Sequence, residues 1–353
     1  MRVATVLGNR PQFVKASAVS RQLRTRHEEI LIHTGQHHDA DLSTVFFEEL
    51  ELPPPEHELR VAGASNSSQL ARMLRKLAPL LAKLHPDAVL VYGDTNSTLA
   101  GALGAADLGI PLVHVEAGMR SFDRAMPEER NRVLTDQLAS LLLCSSERAA
   151  AQLHKEQAPG EVVVVGDVMV DVALATRERV AALGESVLRQ FGLRSGEYLL
   201  ATAHRAGNVD DREHLSAFVD LLENLDRPVL LPLHPRTRTR LRQHGLLARA
   251  KRAALLAAPL GYLEFATLLH HARAVLTDSG GVQKEAYLAR VPCVTLRGET
   301  EWTETVATGW NTLVGLDGAA ARAALAKPAP SAHPHLYGDG RAAERVVAAI
   351  AQH

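Results

Sequence analysis

Residues 87–116, DAVLVYGDTNSTLAGALGAADLGIPLVHVE, decide how this chain folds. An unbroken apolar run reaches Gly93-Asp94, a segment with apolar residues at helical spacing follows, and a second apolar run ends in Glu116. Runs without polar alternation describe strands buried on both faces, and a helix between them carries the chain back to start a parallel neighbour. The two strands therefore end at one edge of a sheet, and each ends in an acid.

Working outward, the same alternation recurs. RVATVL (2–7), EEILIHT (28–34), SLLLCS (140–145) and EVVVVGD (161–167) complete a first series. EYLLATAHR (197–205), RPVLLPLHP (227–235), AALLAAP (253–259), ARAVLTDSGG (272–281) and VPCVTLRG (291–298) form a second. Strands alternating with helices predict a doubly wound α/β fold, and 353 residues exceed what one core serves. The chain reads as two Rossmann-like domains, 1–167 and 168–339, with the changeover near 167–196 and room for a ligand cleft. GRAAERVVAAIAQH (340–353) is an amphipathic helix with no strand after it, and ELPPPEHEL reads as a loop.

Composition narrows the function. With 39 Lys+Arg against 40 Asp+Glu the formal charge is −1, which gives no footprint for nucleic acid or an anionic membrane. No apolar run approaches the ~20 residues of a membrane span, and the start, MRVATVLGNRPQFVK, is too short in apolar residues for a signal peptide. Cys144 and Cys293, each in an apolar run, read as reduced core thiols of a cytoplasmic protein.

The strand ends carry the chemistry. VLGNRPQFVK turns from strand to helix with Arg10 and Lys15 flanking the helix start, an arrangement that favours an anion. Asp94 sits where doubly wound sheets bind ligands, although a helix-capping role for Asp94, Asn96 or Ser97 explains it equally. Glu116 occupies the same kind of strand end; burial raises a carboxyl's pKa unless a cation pairs with it, which suits proton transfer. Pro127 starts a helix that places Glu128 and Glu129 in its first turn, with Arg132 one turn on; Glu129 and Arg130 read as solvated or structural. His204-Arg205 and His234 end strands of the second series, as proton carriers, phosphate partners or hydrogen-bonded structural residues. Asp278-Ser279-Gly280-Gly281 runs from strand into helix, so that glycines and helix N–H groups cradle a diphosphate, with Glu285 placed to accept from a ribose. GQHHD (35–39) is not read as a metal site, because adjacent histidines point apart.

Taken in order, GNRPQFVK, TGQHHD, YGDTNSTLAGALGA, HVEAGMRSFDRAMPEERNRVLTD, GDVMVD, AHRAGNVDD, HPRTR and LTDSGGVQKEAYLARVPCVTLRGETEW resemble the non-hydrolysing UDP-N-acetylglucosamine 2-epimerases across nearly the whole chain. The resemblance implies a glycosyltransferase-B-like pair of domains around a deep cleft, with the C-terminal helix crossing back to the first. It implies a reaction without redox cofactor or metal: UDP leaves C1 as the C2 proton is removed, giving a 2-acetamidoglucal, and UDP returns with a proton on the opposite face. By resemblance Asp94, Glu116, Glu128 and His204 are catalytic. Arg10, Lys15, Arg132, Arg205, His234, Phe265, Ser279, Gly280, Gly281 and Glu285 bind the UDP-sugar, and Gln36 and His37 match an allosteric site for a second UDP-GlcNAc. The implied protein is a cytoplasmic homodimer. Departures are Asn9 and Gln12 for threonine and glutamate, Gly207 for a glutamate, Gly298 for an aspartate and Trp302 for an arginine of some members. They leave open a modified UDP-2-acetamido sugar; a hydrolysing 2-epimerase and a UDP-sugar glycosyltransferase are the remaining alternatives.

Overall fold

The computed structural model describes residues 1–36, 40–61, 63 and 65–353, with the backbone alone for 40–44. The chain forms two compact units, Met1–Ala175 with His335–His353, and Thr176–Pro334. In the first, β1 (Arg2–Leu7), β2 (Glu28–His33), β3 (His57–Glu58), β4 (Ala88–Tyr92), β5 (Leu112–Ala117), β6 (Leu141–Cys144) and β7 (Glu161–Val164) make a parallel sheet in the order β3-β2-β1-β4-β5-β6-β7. Succession reverses between β1 and β4, so the carboxyl ends of those two strands flank the switch point where such sheets bind ligands.

The second unit repeats the design. β8 (Leu199–Thr202), β9 (Val229–Pro232), β10 (Leu255–Ala257), β11 (Ala274–Thr277), β12 (Cys293–Thr295) and β13 (Asn311–Leu313) are parallel in the order β10-β9-β8-β11-β12-β13. Its switch point lies between β8 and β11. Central strands are apolar throughout because helices cover both faces; every residue of β4 and β11 is buried.

A helix at Val168–Gln190 runs through the point where the units divide. The last helix, Ala342–Gln352, returns to the first unit, buries Val346, Val347 and Ile350, and packs on the Arg10–Leu23 helix. Its first amides, at Ala342 and Ala343, donate to Asp171 at 3.1 and 2.9 Å. The stretch read as a loop, ELPPPEHEL, contains β3, where His57 and Glu58 pair with Ile32 and His33. Two residues cannot display a period, and β13, at three residues, escapes the sequence reading as well.

Both cysteines are buried and unpaired, and burial pushes each thiol up to about 12. Among the described residues no helix is long and apolar enough to cross a membrane.

Candidate active site

At the first switch point, β4 turns at Gly93 with φ +63°. A Cβ on Gly93 would stand 3.2 Å from Glu116 Oε2 and 3.4 Å from Lys15 Nζ, so glycine is needed both for the backbone and for the space. Asp94 follows. The helix cap belongs to Thr95, whose side chain forms a reciprocal capping box with Thr98. That frees the Asp94 carboxylate, which pairs with Arg132, and Asn131 Nδ2 donates to the Asp94 carbonyl at 3.0 Å.

Glu116 lies in β5 with φ +71°, where the register with β6 shifts. A non-glycine residue there carries about 1–3 kcal/mol of strain, characteristic of positions held for function. Its side chain is 10% exposed and pairs with Lys15, itself 14% exposed. One cation facing Glu116 is thus a lysine 101 positions away in the chain. Glu128 stands half-buried in the first turn of the Pro127–Leu138 helix; among the described residues no hydrogen bond or ion pair takes its carboxylate. Glu129 is 4% exposed and structural. It accepts from Ser121 N and Oγ at 2.9 Å and from Phe122 N at 3.0 Å, and lies 3.1 Å from Arg132 NH1. The guanidinium of Arg10 lies over the Phe46 ring, 5.4 Å from its centre.

Two departures from the family pattern prove structural. Asn9 caps the Arg10–Leu23 helix through Gln12 N. Gln12, 1% exposed, accepts from Gly8 N at 2.8 Å and donates to the Tyr92 carbonyl at 2.9 Å, joining both sides of the switch point. A carboxylate there would have no proton for that carbonyl. Gln36 accepts from Ser97 N and Oγ at 3.0 and 2.7 Å, at the start of the Asn96–Asp107 helix; His37 lies outside the described residues.

In the second unit His204 ends β8, its side chain 40% exposed and its Nδ1 3.5 Å from Asp278 Oδ1. Asp278, fully buried just past β11, accepts from the backbone N–H of His204 and of Arg205 at 3.0 Å and from Asn208 Nδ2 at 3.2 Å. This carboxylate, quoted in the sequence motif but given no role there, shapes the His204 loop across the switch point. The His204 and His234 rings lie 5.6 Å apart, and His234 Nδ1 accepts from Arg236 N at 3.2 Å to cap the Pro235–Gln243 helix.

Ser279, Gly280 and Gly281 open the Gly280–Leu288 helix, and the Ser279 side chain makes no capping bond. A Cβ on Gly280 would collide with Glu301 Oε1. Glu301 bonds Arg297 NH1 at 3.0 Å and lies 3.9 Å from Arg205 NH2. Lys284, 1% exposed, sits 4.2 Å from the centre of the Trp302 ring; neither figured in the site read from sequence as a contact. Glu285 is half-buried on the same helix, and Phe265 is half-buried on the Tyr262–His270 helix. A Cβ at Gly207 or Gly298 meets nothing within 4 Å. Among the described residues no three His, Cys, Asp or Glu side chains gather to hold a metal ion.

The model of the UDP-N-acetylglucosamine 2-epimerase family matches residues 21–351. Over 365 residues, spanning both chains completely, the sequence is 43% identical to the UDP-2,3-diacetamido-2,3-dideoxy-D-glucuronate 2-epimerase of Pseudomonas aeruginosa. It is 40% identical, over 98% of each chain, to the UDP-N-acetylglucosamine 2-epimerase of Methanocaldococcus jannaschii. The crystal structure of a Methanocaldococcus jannaschii UDP-GlcNAc 2-epimerase in complex with UDP-GlcNAc and UDP superposes with a TM-score of 0.94 at 39% identity, covering all of both chains.

Proposed function

The chain belongs to the UDP-N-acetylglucosamine 2-epimerase family, and from that premise we propose that it interconverts UDP-GlcNAc and UDP-ManNAc without hydrolysis. The observation that carries this reading is the strained, half-buried Glu116 held by Lys15, beside an Asp94 that its helix does not need as a cap. A carboxylate removes the C2 proton, the pair of electrons forms the C1=C2 bond, and the C1–O bond breaks to release UDP. In the return step UDP adds to C1 while a second group protonates C2 from the other face. Two faces require two proton-transfer groups, and Asp94, Glu116, Glu128 and His204 are the residues proposed for them. The Lys15 pair holds the Glu116 carboxylate in place for that transfer.

The proposal gives UDP to the second unit. Ser279–Gly281 and the following helix N–H groups take the diphosphate, Arg205 and His234 add charge and hydrogen bonds, Phe265 packs on uracil and Glu285 accepts from ribose. Arg10, Lys15 and Arg132 complete the substrate set, and Gln36 with His37 remain the proposed allosteric pair. Buried, unpaired thiols accord with a reducing compartment; a cytoplasmic homodimer is proposed by resemblance alone.

A modified UDP-2-acetamido sugar is the second reading, favoured by the 43% identity to the diacetamido-glucuronate enzyme. Incubation in deuterated water with UDP-GlcNAc and, in parallel, UDP-2,3-diacetamido-2,3-dideoxy-D-glucuronate decides between them. Deuterium at C2 with the manno product and no free sugar supports epimerisation of whichever substrate exchanges. Accumulated free N-acetylmannosamine would instead identify a hydrolase.

A further inference from the structure

Beneath the acids of the first unit lies a fully buried charge cluster that the proposed chemistry does not use. His114, in β5 two residues before Glu116, is 0% exposed, as is Asp136 on the Pro127–Leu138 helix. His114 Nε2 is 2.7 Å from the Gly93 carbonyl, and Nδ1 is 2.7 Å from Asp136 Oδ1. A carbonyl oxygen only accepts, so Nε2 carries a hydrogen. Asp136 Oδ2 accepts from Arg120 NH1 at 2.7 Å and from Gly118 N at 3.2 Å. Burial pushes the Asp136 carboxyl up, but His114 and Arg120 outweigh it and hold the group below its ordinary range. Both ring nitrogens thus face oxygen atoms, and Arg120, which donates Nε to Glu156 at 2.9 Å, closes the far side of the cluster.

We infer that His114 is a positioning residue that fixes the strand ends carrying Asp94 and Glu116, an inference that rests on the proton-transfer reading of those acids. One ring ties the Gly93 turn, which leads into Asp94, to Asp136. Asp136 in turn holds the chain at Gly118, two residues past Glu116, and stands on the helix that supplies Glu128 and the Arg132 partner of Asp94. A histidine that merely filled space would need neither bond.

The test uses the whole protein. Nitrogen-15 NMR of the imidazole, assigned by loss of the signal in His114→Gln, is expected to show Nε2 bearing the hydrogen that the Gly93 carbonyl accepts; an Nε2 without a hydrogen overturns the inference. His114→Gln places an amide N–H near Nε2 and keeps the Gly93 bond, whereas His114→Asn keeps the Asp136 side. Both variants, checked for folding by thermal melting, are expected to bind UDP within about twofold of the parent by calorimetry. C2 exchange falls ~10- to 100-fold, with glutamine retaining more than asparagine. Unchanged exchange in two folded variants overturns the positioning role. Parent protein that exchanges no C2 proton sinks the epimerase reading, while an Nε2 without a hydrogen in protein that does exchange sinks this inference alone.

Discussion

The chain uses one topology twice and arms its two switch points differently. Between β1 and β4 the edge is closed by charge pairs: Lys15 with Glu116, Arg132 with Asp94, and Gln12 stitching the two turns. Between β8 and β11 a buried Asp278 holds backbone amides, and glycines with an uncapped helix start follow. The first edge pairs its carboxylates with cations and so fixes them; the second leaves N–H groups and an imidazole for an anion to meet. Substitutions at the first unit's acids should therefore change turnover, and substitutions at the second unit's Ser279–Gly281 cradle should change affinity for UDP.

Glu116→Gln is the hardest test of that division. Removing a general base or acid costs ~10²- to 10⁴-fold in rate, and calorimetry should find UDP affinity unchanged. C2 exchange at the parent rate would remove Glu116 from the chemistry, and a large loss of UDP affinity would break the division itself.

Asp136→Asn strikes the support of the first edge. Breaking a buried pair leaves uncompensated charge and costs ~3–5 kcal/mol, read by denaturant unfolding near neutral pH. Because the folded Asp136 carboxyl is held below its ordinary value of 3.8, its contribution is whole above that value and is lost as pH falls through the folded value. The variant should accordingly lose less stability than the parent between pH 4 and 2; parallel acid limbs would mean that Asp136 does not carry the charge assigned to it.

In the second unit, Gly280→Ala pushes a methyl against Glu301 and disturbs the helix start. The expected loss is about tenfold in UDP affinity, ~1.4 kcal/mol, with the C2 exchange rate at saturating substrate nearly kept. Equal affinity would move the diphosphate away from Ser279–Gly281.

What the sequence could reveal follows from distance along the chain. Apolar runs ending in Gly-Asp, Val-Glu or Asp-Ser-Gly-Gly announce strand ends, since local pattern alone sets them, and both sheets were legible from these. Pairings were not: Lys15 and Glu116 are 101 residues apart, and His114 and Asp136 are 22 apart on different elements. His114 reads as one more strand residue until the fold sets Gly93 and Asp136 against its two nitrogens. Glu129, placed in a helix's first turn, reads as solvated or structural, and only Ser121 and Phe122 folding onto it decide for the second.

Gly207 offers the gentlest way to sharpen the comparison. It stands three residues beyond His204, in the single helical turn Ala206–Val209 of the loop that Asp278 shapes, and a side chain there would enter open space. Gly207→Glu, which restores the residue usual in the family, should shift unfolding stability by no more than ~0.5 kcal/mol, as for other surface changes. Its electrostatic effect is selective. An added carboxylate repels a uronate and leaves a neutral sugar indifferent, so the ratio of exchange rates should move toward UDP-GlcNAc and away from the diacetamido-glucuronate, more so at low ionic strength. An unchanged ratio would place the sugar's C6 end away from this loop, and the glycine would then say nothing about substrate.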